Sequence, residues 1–372
     1  MAVNFNSISI YTGFYSSKVE ALNLTIKGLS QVLKWTVIDQ DKDNYAVLYS
    51  YGENTGSTLT NPFDAMYYKV LLTDKAIRFL GYQDYNVETR TGYSYGLEGR
   101  FFAVGQNDLI GDQGVIWVYG NLDWAIIINK SVDISQSPAK IVTTLVYIGK
   151  FLPTYNCDNA KVLGKVSTGS NVILKVSDAS KFEVNRQYII SDSKYIQKVT
   201  VLAKDTGNNT ITVDQISYPF KENSQKLDDG QTIINPILIS EFPKPYIVAD
   251  FHLCDVNCLI NNLGQVDPTL PGDESTATSG AGEKLTLFLP DNLVSAASID
   301  KLNNDRYLFE IYLIDGNEAS GFYGKFGSLF AVGSQGLEPE NTVLDDGTWL
   351  YRVFAPTGLI APYAAVKERS KS

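Results

Sequence analysis

The stretch GVIWVYGNLDWAIIINK, residues 114–130, shows the β-strand pattern of this chain most clearly. Two apolar and aromatic runs, 114–119 and 124–129, stand on either side of a short interruption that contains Gly and Asn. Short runs rich in Ile, Val, Tyr and Trp and bounded by turn residues are typical of β-strands. The same rhythm recurs along most of the chain, and it predicts a mainly β protein.

Further strands are predicted on both sides of this stretch. Each is an apolar and aromatic run that ends in residues typical of turns. The predicted strands outside the middle of the chain are 45–51, 66–72, 78–85, 141–151, 307–314, 329–332 and 349–354.

A single amphipathic helix is predicted over residues 17–34. Its apolar residues are spaced three and four apart, as on one helical face: Val19, Leu22, Ile26, Leu29 and Leu33. Ser17 and Glu20 have the spacing of a capping box, in which each side chain accepts a hydrogen bond from the other residue's backbone N–H. The period changes at Trp35, where a strand is predicted to begin.

A change of composition near Tyr155 marks an inserted small β domain, predicted over 157–236. It contains four short predicted strands, 172–176, 187–191, 198–202 and 210–214. Strands at this close spacing predict a small barrel or sandwich.

The predicted fold class is therefore mainly β. It has β-sandwich or barrel-like domains, one N-terminal amphipathic helix and the inserted β domain. The predicted domains are 1–156, 157–236 and 237–372. The last contains a predicted flexible loop near 267–283, too poor in apolar residues to pack.

The amino-acid composition argues against some classes of partner and favours others. The formal net charge of −10, from 31 Lys and Arg against 41 Asp and Glu, argues against nucleic acid as a partner, because phosphate binding needs clustered cations. No signal-peptide start and no long apolar run are present, so membrane insertion is not predicted. The 23 tyrosines favour sheets and also surfaces that meet partners.

Catalytic chemistry has little support in the sequence. The single histidine, His252, would have to serve any Ser-His or Cys-His arrangement. No catalytic, cofactor-binding or metal-binding residues are therefore predicted. The pattern at His252 favours a partly buried strand end. The alternative is a zinc site with His252, Cys254 and Cys258 as ligands and Cys157 as a fourth, although the spacing matches no familiar zinc pattern.

A second metal alternative lies at Asp39, Asp41 and Asp43, whose alternation resembles the start of a calcium loop. Tyr45 stands where a Gly-bearing turn is expected, and no Glu occupies the twelfth position. A solvated polar turn between two strands is the favoured interpretation.

The N-terminal part resembles a group of tailed-bacteriophage virion structural proteins. The resemblance rests on the helix followed by Trp35-Thr36-Val37, the aromatic strand at 124–130 and the strand that ends in 147–153. The C-terminal stretch 329–354, with Tyr363-Ala-Ala-Val-Lys shortly after it, is similar to the ending of the same group.

The middle segment is similar to a small β module of phage head, neck and tail proteins. Its matching stretches are 176–182, 188–190, 199–201, 209–214 and 229–233. Such modules usually carry a Gly-Asp pair where this chain has Asn185-Arg186.

The resemblance implies a non-enzymatic building block of the virion, assembled in the host cytoplasm, with the tail or baseplate as the first position to consider. Its partners would be other copies of itself and other virion proteins, met through aromatic faces such as that around Tyr82, Tyr85, Tyr93 and Tyr95. Ordinary sheet packing is the alternative for each of these tyrosines.

Three other functions stay open. The first is a tail-tip receptor- or carbohydrate-binding protein whose partner is a host surface glycan; exposed Trp117 or Trp124 would favour it. The second is a capsid decoration protein, and the third is a depolymerase with two convergent acids.

Overall fold

The computed structural model describes most of the chain. The described residues are 4–52, 65–73, 76–101, 113–133, 137–153, 159–192, 194–227, 230, 232–240, 246–250, 285–288, 308–315, 322–333, 336–356 and 363–371.

These residues form one α-helix and a series of β-strands, so the predicted mainly β class is confirmed. The helix α1 is Lys18–Lys27. The strands in the first part of the chain are β1 (Ser9–Tyr15), β2 (Thr36–Asp41), β3 (Tyr45–Ser50), β4 (Met66–Leu72), β5 (Ile77–Asn86), β6 (Thr91–Phe101), β7 (Gln113–Gly120), β8 (Trp124–Asp133), β9 (Lys140–Lys150) and β10 (Leu152–Pro153).

The remaining strands belong to the middle and C-terminal segments. They are β11 (Asn159–Leu163), β12 (Gly169–Val176), β13 (Gln187–Ser191), β14 (Ile196–Asp205), β15 (Thr210–Ile216), β16 (Asn223–Lys226), β17 (Thr232–Asn235), β18 (Leu238–Ser240), β19 (Tyr246–Asp250), β20 (Leu285–Phe288), β21 (Phe309–Asp315), β22 (Phe322–Val332), β23 (Val343–Asp345), β24 (Trp349–Phe354) and β25 (Tyr363–Ser370).

The helix begins as predicted but ends earlier. Ser17 caps it by accepting a hydrogen bond from the Glu20 backbone N–H at 3.2 Å. The other half of the predicted capping box is wrong, because the Glu20 carboxylate accepts from the Ser16 N–H at 2.7 Å and from its hydroxyl at 2.9 Å. The α-helix gives way to a wider π-helical turn over Gly28–Val32. At Gly28 an added Cβ would lie 2.6 Å from Cγ2 of Val118, so glycine lets this turn approach β7 closely.

A central five-stranded sheet, ordered β1-β7-β8-β9-β19, is covered on both faces over its middle strands, while Ile10 and Phe14 of the end strand β1 are exposed. Ala125 and Ile127 of β8 pack against the helix and against the sheet ordered β2-β3-β4-β5-β6. Ile126 and Ile128 point the other way, into a core shared with the C-terminal sheet. Because both faces of β8 are covered, its sequence is a continuous apolar run instead of an alternating one.

The C-terminal sheet is ordered β20-β21-β22-β25-β24-β23, and β10 pairs with β22. Its Phe326 meets the ring of Tyr147 on the central sheet edge to face, with centroids 4.5 Å apart. Tyr147 in turn stacks on Trp124 at 6.5 Å. This aromatic column joins the two layers.

The middle segment forms a closed barrel ordered β11-β12-β15-β14-β13-β18. Each of the four strands predicted here overlaps one barrel strand, and β11 and β18 complete the closure. Asn185 has a φ of 67°, in the left-handed region that glycine adopts most easily and that asparagine tolerates better than most residues. An asparagine can therefore stand at this position without strong backbone strain.

The hairpin β16–β17 leaves the barrel and packs on the outer face of the β2–β6 sheet. Gln225 accepts a hydrogen bond from the Val87 N–H at 2.8 Å and donates one to the Tyr85 carbonyl at 2.6 Å. The Tyr67 hydroxyl donates to Oδ1 of Asn235 at 2.6 Å. These contacts fix the barrel segment against the N-terminal layers.

Candidate functional site

The tyrosines considered as a contact face belong instead to the core. Tyr82 and Tyr85 are each only 1% exposed and pack beneath the β16–β17 hairpin. The Tyr85 hydroxyl donates to Oδ2 of Asp39 at 2.7 Å. Ordinary sheet packing is therefore the correct interpretation for these two residues, while the side chains of Tyr93 and Tyr95 lie outside the described residues.

The two tryptophans considered for glycan binding are also packed inside. Trp124 is fully buried, and its indole N–H donates to the carbonyl of Asn4 at 3.0 Å. Trp117 is partly buried and meets the ring of Phe354 at 5.4 Å. Burial of Trp124 and partial burial of Trp117 count against a glycan site at these positions.

The metal candidates divide into two groups. His252, Cys254, Cys258 and Cys157 lie outside the described residues, as does the predicted loop near 267–283. In the part of the chain that the structure describes, no three His, Cys, Asp or Glu side chains lie close enough together to hold an ion.

The aspartates of the suspected calcium loop have other partners. Asp39 accepts from the hydroxyls of Tyr45 and Tyr85, and Asp41 accepts from the side-chain amide of Asn44 at 2.8 Å. Asp39 and Asp41 lie in strand β2, and the Asp39 side chain is only 6% exposed. Of the three aspartates, Asp43 alone stands in the polar turn between β2 and β3 that the sequence favoured.

A buried ion pair lies at one end of the central sheet. Nζ of Lys150 is 2.8 Å from Oδ1 of Asp123, and these side chains are 2% and 0% exposed. Oδ2 of Asp123 also accepts from the backbone N–H of Asn4 at 3.1 Å. Because neither group reaches solvent, the pair holds the N-terminal segment against the sheet and offers nothing to a ligand.

An apolar surface lies at the opposite end of the same sheet. The strand register places four apolar residues, Phe14, Val115, Val132 and Ile141, on the face that the C-terminal sheet covers farther along, and the polar residues Gln113 and Lys130 stand among them. Phe14 is 76% exposed and Ile141 is 54% exposed. We call these four residues the end patch.

The end patch adjoins the edge of the central sheet. Within the described part of the chain, β1 is the end strand of this sheet. The ion pair between Lys130 and Glu340, at 2.6 Å, marks the border of the cover given by the C-terminal sheet. An end strand beside exposed apolar side chains is a surface suited to another protein chain.

A second candidate is a cleft of about 470 Å³ at the junction of the barrel and the β2–β6 sheet. The turn between β5 and β6 contributes Thr89 and Thr91, whose hydroxyls are 2.7 Å apart. The segment before β16 contributes Lys221, Glu222 and Asn223.

The opposite wall of the cleft is the loop between β13 and β14. Oδ1 of Asp192 accepts from the N–H groups of Lys194 and Tyr195, at 2.7 and 2.6 Å, and Oδ2 accepts from that of Lys221 at 2.6 Å. Burial raises the pKa of Asp192 above its ordinary value, against the opposing effect of these hydrogen bonds. The carboxylate therefore ties two walls of the cleft together.

Neither the end patch nor the cleft was predicted from the sequence. The available signals were weak: Phe14 stands in a short alternating strand, and Tyr195, Tyr218 and Phe220 are aromatic residues in otherwise polar turns.

Comparison with known proteins adds no relative: no family model matches the chain, and no curated protein matches it. Among the described residues, no helix is long and apolar enough to cross a lipid bilayer.

Proposed function

We propose that this protein is a structural component of a tailed-phage virion, in the tail or baseplate, and that it acts by assembling with copies of itself and with other virion proteins. It is not an enzyme in this proposal. The resemblance of its N-terminal, middle and C-terminal segments to such proteins supplies the biological setting. The end patch supplies the physical argument.

The end patch supports assembly because its composition suits a protein interface better than water. Phe14, at 76% exposed, and Ile141, at 54%, are large apolar side chains on the central sheet. Burying such a side chain contributes about 1.5–3 kcal/mol. The adjacent strand β1 can add backbone hydrogen bonds to an incoming strand. Ring symmetry would repeat these contacts around an axis.

The experiment is a measurement of mass by light scattering over a range of protein concentrations, combined with negative-stain images. We expect a discrete ring or trimer with a symmetry found along the tail axis. The variant Phe14→Lys places a charge in the end patch, and we expect it to shift the mass towards the monomer.

Ile173→Lys is the matched control, because Ile173 is 69% exposed on the outside of the barrel. We expect this variant to assemble like the wild type. A wild-type protein that remains a monomer at high concentration contradicts self-assembly. Equal assembly of both lysine variants contradicts the end patch as the interface.

The capsid decoration alternative predicts the same kind of surface but a different location. Copurification of the protein with heads supports the decoration alternative, and copurification with tails supports the proposal.

A further inference from the structure

We infer that the cleft between the barrel and the β2–β6 sheet binds a neutral saccharide. This inference is independent of self-assembly, because the cleft and the end patch involve different residues. It also differs from a glycan site at Trp117 and Trp124, because it places the sugar at other side chains.

The size and position of the cleft suit a small ligand. Its volume of about 470 Å³ lies within the range of ligand sites, roughly 300–1,000 Å³. It also lies where two structural units meet, a common place for such sites. The walls are fixed, because Gln225 anchors the hairpin to the sheet and Asp192 ties the barrel loop to the segment before β16.

The charges that line the cleft favour neither a net anionic nor a net cationic ligand. Lys194 and Lys221 are balanced by Asp192 and Glu222, so the formal charge of the lining is zero. An anion would meet the carboxylate of Glu222, and a cation would meet the two ammonium groups. A purely apolar ligand would strip water from all of these groups without replacing their hydrogen bonds, at a cost in free energy.

The hydrogen-bonding groups of the lining fit a ligand that carries many hydroxyls. Thr89 and Thr91 supply hydroxyls that both donate and accept, the lysines donate, and Glu222 accepts. Nδ2 of Asn223 is buried and has no hydrogen-bond partner among the described residues. A saccharide hydroxyl can donate and accept at once, so it can meet such a mixed set of groups.

An aromatic stack lies beside these polar groups. The rings of Tyr195 and Tyr218 are parallel within 9°, with centroids 4.8 Å apart. Phe220 meets the ring of Tyr195 edge-on at 6.2 Å. Nζ of Lys194 lies 5.0 Å from the centroid of the Tyr195 ring. Lys194 is exposed and can move aside, which would let the C–H face of a sugar ring pack on Tyr195.

The test uses the full chain and an array of neutral oligosaccharides, with sialylated and uronic-acid oligosaccharides as the charged set. Isothermal titration then follows the strongest array signal. We expect binding to neutral members, with the charged set at background. Because the readout is sugar binding and not mass, failure here is distinct from failure of assembly.

The key variant is Thr89→Trp, which fills the cleft from an exposed turn and leaves the core intact. Its matched control is Thr206→Trp, in the exposed turn between β14 and β15. We expect Thr89→Trp to weaken binding by at least about tenfold, equivalent to ~1.4 kcal/mol, and Thr206→Trp to leave it unchanged.

Three results overturn the inference. The first is the absence of any signal on the neutral array, and the second is binding confined to charged oligosaccharides. The third is equal binding by the two tryptophan variants, which would place the sugar elsewhere on the protein.

Discussion

The ion pair between Asp123 and Lys150 allows a sharp test of how the central sheet is held together. The perturbation is Asp123→Asn, which keeps the shape of the side chain and removes its charge. At 2.8 Å and an effective dielectric constant of about 20, the attraction between the two charges is roughly 6 kcal/mol. The amide retains a neutral hydrogen bond worth about 1 kcal/mol. Allowing for relaxation, we expect a loss of about 3–5 kcal/mol in the free energy of unfolding.

The assay is urea unfolding followed by tryptophan fluorescence. Trp124 suits it as the reporter, because its indole donates to the carbonyl of Asn4, whose N–H is bound by Asp123. The double variant Asp123→Asn/Lys150→Met should recover much of the loss, since an apolar side chain can replace the buried ammonium.

The control is Glu340→Gln, which breaks a pair of similar length whose members, Lys130 and Glu340, are 29% and 21% exposed. Partial exposure to solvent limits the expected loss there to about 1 kcal/mol. Equal losses for Asp123→Asn and Glu340→Gln would contradict this prediction, because burial would then have no influence on the strength of the pair.

The other stability predictions follow from single contacts. Gln225→Ala leaves two backbone groups without their side-chain partners, so we expect faster hydrogen exchange at the backbone amides of the β16–β17 hairpin, measured by mass spectrometry. Ser17→Ala removes the helix cap and should cost about 1 kcal/mol in urea unfolding. Gly28→Ala should cost about 1–3 kcal/mol in the same assay, because the added methyl group collides with β7. Burial raises the pKa of Tyr68 and Tyr147 well above 10.0. The folded protein therefore keeps these protons while the unfolded chain loses them, and stability should fall as the pH rises above about 10. Absorbance at high pH should show that these two tyrosines ionise only on unfolding.

Local elements were readable from the sequence because their signals are local. The strand Met66–Leu72 has the bounds predicted for it, and so does Gln187–Ser191. The cap at Ser17 was also predicted correctly. The capping box failed at its second bond because Ser16 offers the Glu20 carboxylate both a backbone N–H and a hydroxyl.

The arrangement of the layers could not be read in the same way. The order of strands in the central sheet joins β1 to β7 and β9 to β19, pairs that are far apart in the sequence. Burial of Tyr82 and Tyr85 depends on the β16–β17 hairpin, which is more than a hundred residues away along the chain. A tyrosine in a strand fits a core and an interface equally well, so composition alone could not choose between them.

The candidate sites were hidden from the sequence for the same reason. The cleft takes its walls from the β5–β6 turn, the loop before β14 and the segment before β16, which only the docked hairpin brings together. The end patch exists because the C-terminal sheet stops short of the end of β8. The residues around Phe14 and Ile141 carry no sequence signal that specifies where that cover ends.

A structural role in the virion is tested most directly by locating the protein in phage particles. Particles released by lysis of cells that express the chain would be separated into heads and tails, and the protein would be quantified by mass spectrometry and placed by antibody labelling. A structural role in the tail or baseplate predicts a stoichiometric amount in the tail fraction, with label at a fixed position on the tail or baseplate. Absence of the protein from purified particles, while it remains free in the lysate, would contradict a structural role in the virion.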